Sequence, residues 1–387
     1  MLLKNVDIYT ENGWIKNGYI LVNGTKIEAI GPMSDFQISD FTGEVLDGNG
    51  LLAIPGFIDS HIHGANGADV MDATPEALTT MAKALPAEGT TNFLATTITQ
   101  SPENIEKALL NVAQFQNHPA QAEVLGVHLE GPFIEKDKAG AQPKEYVIEP
   151  SIEQFKKWQQ LSGNHIKTIT IAPEKDVDRT FITYLASTGV NVSAGHTNAG
   201  IEIMKEVVQA GVNQATHLCN AMTGIHHRDI GVVGAAFLLE DIQAEIIVDG
   251  IHVSKEMIRL IYKTIGPERL LLITDSIRAK GLAPGTYDLG GQLVEVDLKQ
   301  ATLPDGTLAG SIVKMIDAVT YMRDFTGATI EDLIRMASTN PAKQLGVEDR
   351  KGSIAVGKDA DLLLVDQELS IQYTFCQGRL AYKAMDF

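Results

Sequence analysis

The chain has 387 residues, 44% of them hydrophobic and 21% charged, the balance of a soluble globular protein with one large domain and room for a smaller one. Its formal net charge of −18 disfavours nucleic acid and anionic membranes as partners, and an anionic ligand would need a local cluster of positive or N–H donor groups. Its two cysteines, Cys219 and Cys376, form no CxxC pair, the first residues lack a signal-peptide pattern, and no apolar run reaches about 18 residues; the expectation is a reducing, cytoplasmic setting without disulfides, a cysteine zinc site or a transmembrane helix.

In chain order, residues 1–53 read as short strands. Gly18–Val22 and Lys26–Ile30 flank the turn Asn23-Gly24-Thr25, a hairpin pattern. From residue 54 to 351 apolar runs alternate with helical patterns. The runs end near Asp59, Thr96, Leu129, Ala172, Ala194, His217, Val248 and Thr274. Between them, Thr74-Pro75-Glu76 and Ser101-Pro102-Glu103 pair a cap residue with proline at the first helical position. Ile201–Ala210 is apolar at helical spacing and stops at Gly211. From residue 352 to 387 the pattern turns β-rich again, with Asp361–Val365 as a buried-strand run.

Strand alternating with helix implies parallel pairing, and eight such units imply closure. The 214 residues from His61 to Asp275 cover seven steps at about 31 each, the unit length of a barrel of ~250 residues. The expected fold is therefore α/β: a (β/α)8 TIM-like barrel over 54–351, inserted into a small β-sandwich domain built from 1–53 and 352–387. An open doubly wound sheet would carry a glycine-rich phosphate turn after its first strand; here that turn is His61-Ile62-His63-Gly64.

Barrel strand ends converge on one face, and chemistry-bearing residues stand at those ends. His61 and His63, two apart in an extended segment, face the same side. Glu130 leaves the third strand just before Gly131-Pro132. His196 follows the fifth strand and His217 the sixth. One carboxylate and two imidazoles at three strand ends make a catalytic metal site with a position left for water. Asp275 ends the eighth strand, where a carboxylate takes a proton from activated water and hands it to a leaving nitrogen. His252 would touch substrate or orient its loop, and Asp249 would hold an imidazole in one tautomer. Taken singly, each also reads as a turn residue, a satisfied core histidine or a helix cap.

The segment Pro55-Gly56-Phe57-Ile58-Asp59-Ser60-His61-Ile62-His63-Gly64 resembles the opening motif of the amidohydrolase superfamily. His128–Phe133, His217–Met222, Asp249–His252 and Thr307–Ser311 resemble, in order, its branch of N-acetylglucosamine-6-phosphate deacetylases. The resemblance implies acetate removal from that sugar phosphate. Glu130, His196 and His217 would be the principal metal ligands, and Asp275 the acid and base. His252, Asn220 and Ala221 would contact the sugar phosphate, while Leu308, Ala309 and Gly310 would line the pocket. Arg228, in His226-His227-Arg228, would bind phosphate from its own or a neighbouring subunit of a homodimer, supplying the positive cluster that the net charge demands.

Two departures stand out. Some members carry Gln and Asn at the opening pair and hold one metal; this chain keeps His61 and His63, which leaves room for a second ion bridged by Glu130. Some members also carry a histidine after Glu-Gly-Pro that steadies the amide carbonyl. The matching stretch here is Ala139-Gly140-Ala141-Gln142-Pro143, so Ala141 and Gln142 take that place at the substrate. The implied cofactor is one or two divalent ions; zinc, iron, manganese and cobalt all suit these ligands. The rivals are an amidohydrolase acting on another N-acyl or cyclic amide, disfavoured by Glu130 and the Arg228 loop, and a non-catalytic scaffold, disfavoured by retention of every ligand type.

Overall fold

The computed structural model describes residues 1–37 and 41–385. At its centre eight parallel strands stand in sequence order: Phe57–Ile62, Thr90–Thr97, Glu123–Glu130, Ile166–Ile171, Asn191–Ala194, Val212–Ala215, Gln243–Ile247 and Leu270–Ile273. Each coincides with one of the apolar runs. Sequential parallel order is the topology of a (β/α)8 barrel and not of an open doubly wound sheet. Most helices on the outside bury one stripe, whereas Gly231–Leu238 buries six consecutive residues. Pro75–Ala84 is capped by Thr74, whose side chain accepts from the Ala77 N–H at 3.2 Å. Pro102–Gln114 is capped in the same way by Ser101, and Ile201–Ala210 stops at Gly211.

The seam between first and eighth strands closes by different means. The Asp275 N–H donates to the His61 carbonyl at 2.8 Å. Asp59, fully buried, accepts from the Thr274 hydroxyl at 2.5 Å, from the Thr274 N–H at 3.2 Å and from the His61 N–H at 3.4 Å. The Asp59 side chain thus supplements the few backbone bonds across the seam, which include those from the His63 and Gly64 N–H groups to the Ser276 carbonyl, and fixes His61 against Asp275.

Eight further strands form a second sheet, drawn from both ends of the chain: Leu2–Thr10, Gly13–Asn23, Lys26–Pro32, Val45–Asp47, Leu52–Pro55, Leu362–Val365, Ile371–Cys376 and Arg379–Lys383. The sheet rolls so that its halves face each other over a core that includes Leu3, Ile20, Ile27, Leu364 and Phe375. The Ile27 N–H donates to the Lys358 carbonyl across that roll, at 2.9 Å. Alternation sorts the rest: Ala53, Leu362 and Leu364 face this core, whereas Leu52, Ile54, Leu363 and Val365 face the barrel. Cover on both faces is why Leu362–Val365 is apolar at every position. A smaller antiparallel sheet, Gly285–Leu289, Gln292–Val296 and Ala301–Thr302, follows the eighth barrel strand and packs over Ile98 and Ile277.

Candidate active site

The chemistry-bearing side chains gather at the carboxyl ends of the barrel strands. His61 and Glu130 are the last or nearly last residues of the first and third strands, and His63 lies one past the first. His196, His217 and Asp275 each stand two residues beyond a strand end, with φ of 48°, 32° and 47°. Left-handed backbone at a non-glycine residue costs on the order of 1–2 kcal/mol. Here it bends the chain inward at the rim, and three such bends aim three side chains at one point. Glu130 is fixed by its neighbour in the chain. Gly131 has φ +74°, and a Cβ there would lie 2.1 Å from the Thr99 hydroxyl, so only glycine lets the strand end this way.

Glu130 Oε1, His196 Nε2 and His217 Nε2 form a triangle with sides of 3.2, 3.0 and 3.1 Å. The His196 Nδ1 meets the Lys138 carbonyl at 2.8 Å. A carbonyl only accepts, so Nδ1 carries the hydrogen and the neutral ring points a lone pair into the triangle. Ligand atoms about 2.1 Å from one tetrahedral ion stand roughly 3.4 Å apart; the donor set and its spacing fit a divalent cation. Beside it, His63 Nε2 lies 3.2 Å from both Glu130 Oε2 and Asp275 Oδ1, and His61 Nε2 lies 3.4 Å from Glu130 Oε1 and from Asp275 Oδ1. His61, His63 and Asp275 make a second group of ligating atoms within 4.8 Å of one another.

Two buried carboxylates enclosed by imidazoles draw positive charge. Burial pushes the Glu130 carboxyl up, yet the His61 charge and the bonds from His196 and His217 hold it well below the usual range. Asp275 sits at about 2: burial opposes ionisation, and His61 and His63 outweigh it. For His63 burial pulls down, but bonds to Asp275 and Glu130 carry it to about 10. A divalent ion is the natural replacement for those protons.

Above the triangle opens a cleft of about 360 Å³. His63, Glu130, His196, His217, His252 and Asp275 reach it, as do Ala141, Gln142, Asn220, Ala221, Leu308 and Gly310. His252 Nδ1 is tied to Asp249 Oδ2 at 2.6 Å, the tautomer-holding pair expected from the sequence, which leaves Nε2 as the free ring nitrogen. Gln142 donates to Glu130 Oε2 at 2.7 Å and accepts from the Thr99 N–H at 2.7 Å, so it steadies the carboxylate. Gly310 belongs to a segment laid along the Asp275 loop: the Ser311 N–H donates to the Asp275 carbonyl at 2.7 Å. His61 lies beneath the cleft floor, and Ala309 turns into the core. Arg228 is not brought in; it sits exposed at a hairpin tip, against His227 Nε2 at 2.6 Å.

Four cleft residues escaped the sequence reading: Ile98, Asp137, Lys138 and Leu289. Lys138 is the one lysine or arginine among the described residues lining the cleft; its signal was only its place after Glu-Gly-Pro. Leu289 comes from the small antiparallel sheet.

The chain matches the amidohydrolase family over residues 52–381. It belongs to that family. Among curated relatives it is 44% identical to an N-acetylglucosamine-6-phosphate deacetylase of Bacillus subtilis (strain 168), over 99% of this chain and 97% of the relative. It is 34% identical to an N-acetylgalactosamine-6-phosphate deacetylase of Escherichia coli O157:H7, over 97% of each. Among solved structures, an N-acetylglucosamine-6-phosphate deacetylase from Pasteurella multocida superposes with a TM-score of 0.91 at 31% identity, covering 99% of both chains.

Proposed function

We propose that this chain is a metal-dependent hydrolase that removes the acetyl group of N-acetylglucosamine-6-phosphate, releasing acetate and glucosamine-6-phosphate. The observation that carries this reading is the Glu130–His196–His217 triangle, with Asp275 beside it at the floor of a sugar-sized cleft. A divalent cation (zinc, iron, manganese or cobalt), one or two per chain, would polarise the amide carbonyl and bring the pKa of water toward ~7. Asp275 takes the proton from the attacking water and delivers it to the departing amine nitrogen. Glu130 stays ionised throughout, steadied by Gln142. His252 offers its Nε2 to the substrate, and Asn220 and Ala221 lie where the sugar phosphate enters. Leu308 and Gly310 form the facing wall, and Ala309 holds that wall in the core.

Arg228 lies outside the cleft lining of its own chain, so a phosphate contact from it calls for a second copy; we therefore read the protein as a homodimer in which Arg228 serves the neighbour. Residues 1–53 and 352–387 are read as one small domain and 54–351 as the catalytic one. Two unpaired thiols fit a reducing, cytoplasmic compartment. No helix among the described residues is long and apolar enough to cross a membrane.

The deciding experiment strips the protein of metal, reloads it with single ions and follows acetate release from N-acetylglucosamine-6-phosphate, its C4 epimer N-acetylgalactosamine-6-phosphate, and unphosphorylated N-acetylglucosamine. The expected order places the first substrate highest and the last lowest. Preference for the epimer, which the relative from Escherichia coli makes the second reading, would reassign the sugar. Full turnover after exhaustive chelation would end the metal-dependent reading.

A further inference from the structure

Below the cleft, Glu245 of the seventh barrel strand is fully buried. Its Oε2 meets His61 Nδ1 at 2.9 Å and accepts from the His217 N–H at 3.3 Å, while its Oε1 accepts from Gln214 Nε2 at 2.7 Å. Among the described residues no lysine or arginine pairs with it; His61 is its ion-pair partner. An ionised carboxylate so deep is costly unless positive charge stands close.

A carboxylate only accepts hydrogen bonds. The His61 nitrogen facing Glu245 therefore carries the hydrogen, and the neutral ring has its lone pair on Nε2. That Nε2 is buried, has no hydrogen-bond partner, and faces Glu130 Oε1 and Asp275 Oδ1, each at 3.4 Å. A lone pair set against two carboxylates is repulsive unless a proton or cation sits among them. The ring plane is held as well: His128 packs edge-on at 4.4 Å, with its own Nε2 bound to the Thr170 hydroxyl at 2.7 Å. His61, His128 and Glu245 also form a group of ligating atoms, but an ion between His61 Nδ1 and Glu245 would have to break their bond.

We infer that Glu245 is a positioning residue: it fixes the tautomer and aim of His61, and thereby builds the seat at which His61, His63 and Asp275 take a second cation. Its contact with the His217 N–H ties that seat to the Glu130–His196–His217 triangle. The ion-count part of this inference rests on the two-ion reading of the site; the orientation part does not.

The test titrates metal-stripped wild type, Glu245→Leu and Glu245→Gln with zinc, counting bound ions by mass spectrometry and affinity by calorimetry. Zinc-loaded, ¹⁵N-histidine-labelled protein reports the His61 Nδ1–H by NMR. Wild type should hold two ions and show a strongly downfield His61 Nδ1–H. Glu245→Leu should bind the second ion about 10–100-fold more weakly, lose that resonance, and keep the first ion. Glu245→Gln, whose amide has one acceptor oxygen for three donors, should fall between, and it decides the matter by the same readouts if the leucine variant does not fold. A wild-type chain holding one ion would sink the two-ion reading, and the Nδ1–H resonance would then decide the positioning role alone. Unchanged second-ion affinity and an unchanged His61 resonance in the variants would overturn the inference.

Discussion

Asp275 is placed by three constraints and left with one freedom. Its backbone is left-handed, its N–H is bound to the first strand, and its carbonyl is bound by Ser311; the side chain alone opens into the cleft. The triangle of Glu130, His196 and His217 does not use it. Asp275→Asn should therefore keep an ion at that triangle while acetate release falls by about 10²–10⁴-fold, the usual worth of a positioned acid or base. KM should change little. Ion analysis and steady-state kinetics on the same preparation check this, and near-normal turnover would remove Asp275 from the proton path. The residues that carry this argument were visible in the sequence because each stands just after an apolar run, where a barrel puts its active site. Glu245 was not, since it sits inside a strand amid Ala244 and Ile246 with no neighbouring motif, and only the closed barrel reveals that it points at His61.

At the scale of elements, the first and eighth strands are joined by few backbone bonds, and the Asp59 side chain adds to them. Thr274→Val keeps the shape but removes the hydroxyl that donates to Asp59. Burial already pushes the Asp59 carboxyl up, and the Thr274 bond is among the groups that hold it down. Loss of that donor should cost about 1–3 kcal/mol, read as a lower urea midpoint. Faster hydrogen exchange at the Asp275 amide should accompany it, because that amide bridges the same seam. Unaltered exchange with a lower midpoint would place the cost elsewhere in the fold. The eight parallel strands were legible because each carries a short apolar stretch between helical patterns, although only Leu270–Ile273 is apolar throughout and residues such as Asn92, Lys167 and Gln214 interrupt the others. The antiparallel sheet at 285–302 was passed over because its strands are half exposed. Its signal was there: Gly290-Gly291, with φ of 61° and 86°, forms the two-residue turn between Leu289 and Gln292, and Val294 and Val296 alternate inward.

At the scale of the molecule, the barrel and the rolled sheet are riveted by a charge cluster. Lys351, its side chain 0% exposed, reaches Glu123 at 2.6 Å, Asp359 at 2.9 Å and Asp361 at 2.6 Å. Arg350 and Lys26 add bonds to Asp359, each at 2.7 Å. Burial pushes Asp359 up, but these cations bring it to about 2 from an ordinary 3.8, and Glu123 is lowered by Arg350 and Lys351. A carboxyl depressed in the folded state stabilises it above the unfolded pKa of ~3.9 and loses that contribution as pH falls toward 2. For Asp359 the amount is about 2 kcal/mol, less where water reaches the rim. Asp69, raised by burial to about 6, works in the opposite sense: its share of stability declines as pH rises from ~4 through 6. Lys351→Met separates these effects. With the central cation gone, three crowded carboxylates become a liability of about 3–5 kcal/mol at neutral pH. Those carboxyls then take up protons more readily when folded than when unfolded, so the deficit relative to wild type should shrink as pH falls from 7 to 4.5, while the Asp69 contribution cancels between the two proteins. Urea unfolding at several pH values measures the difference, and a deficit that stays constant across that range would mean that Lys351 acts through packing and not through charge.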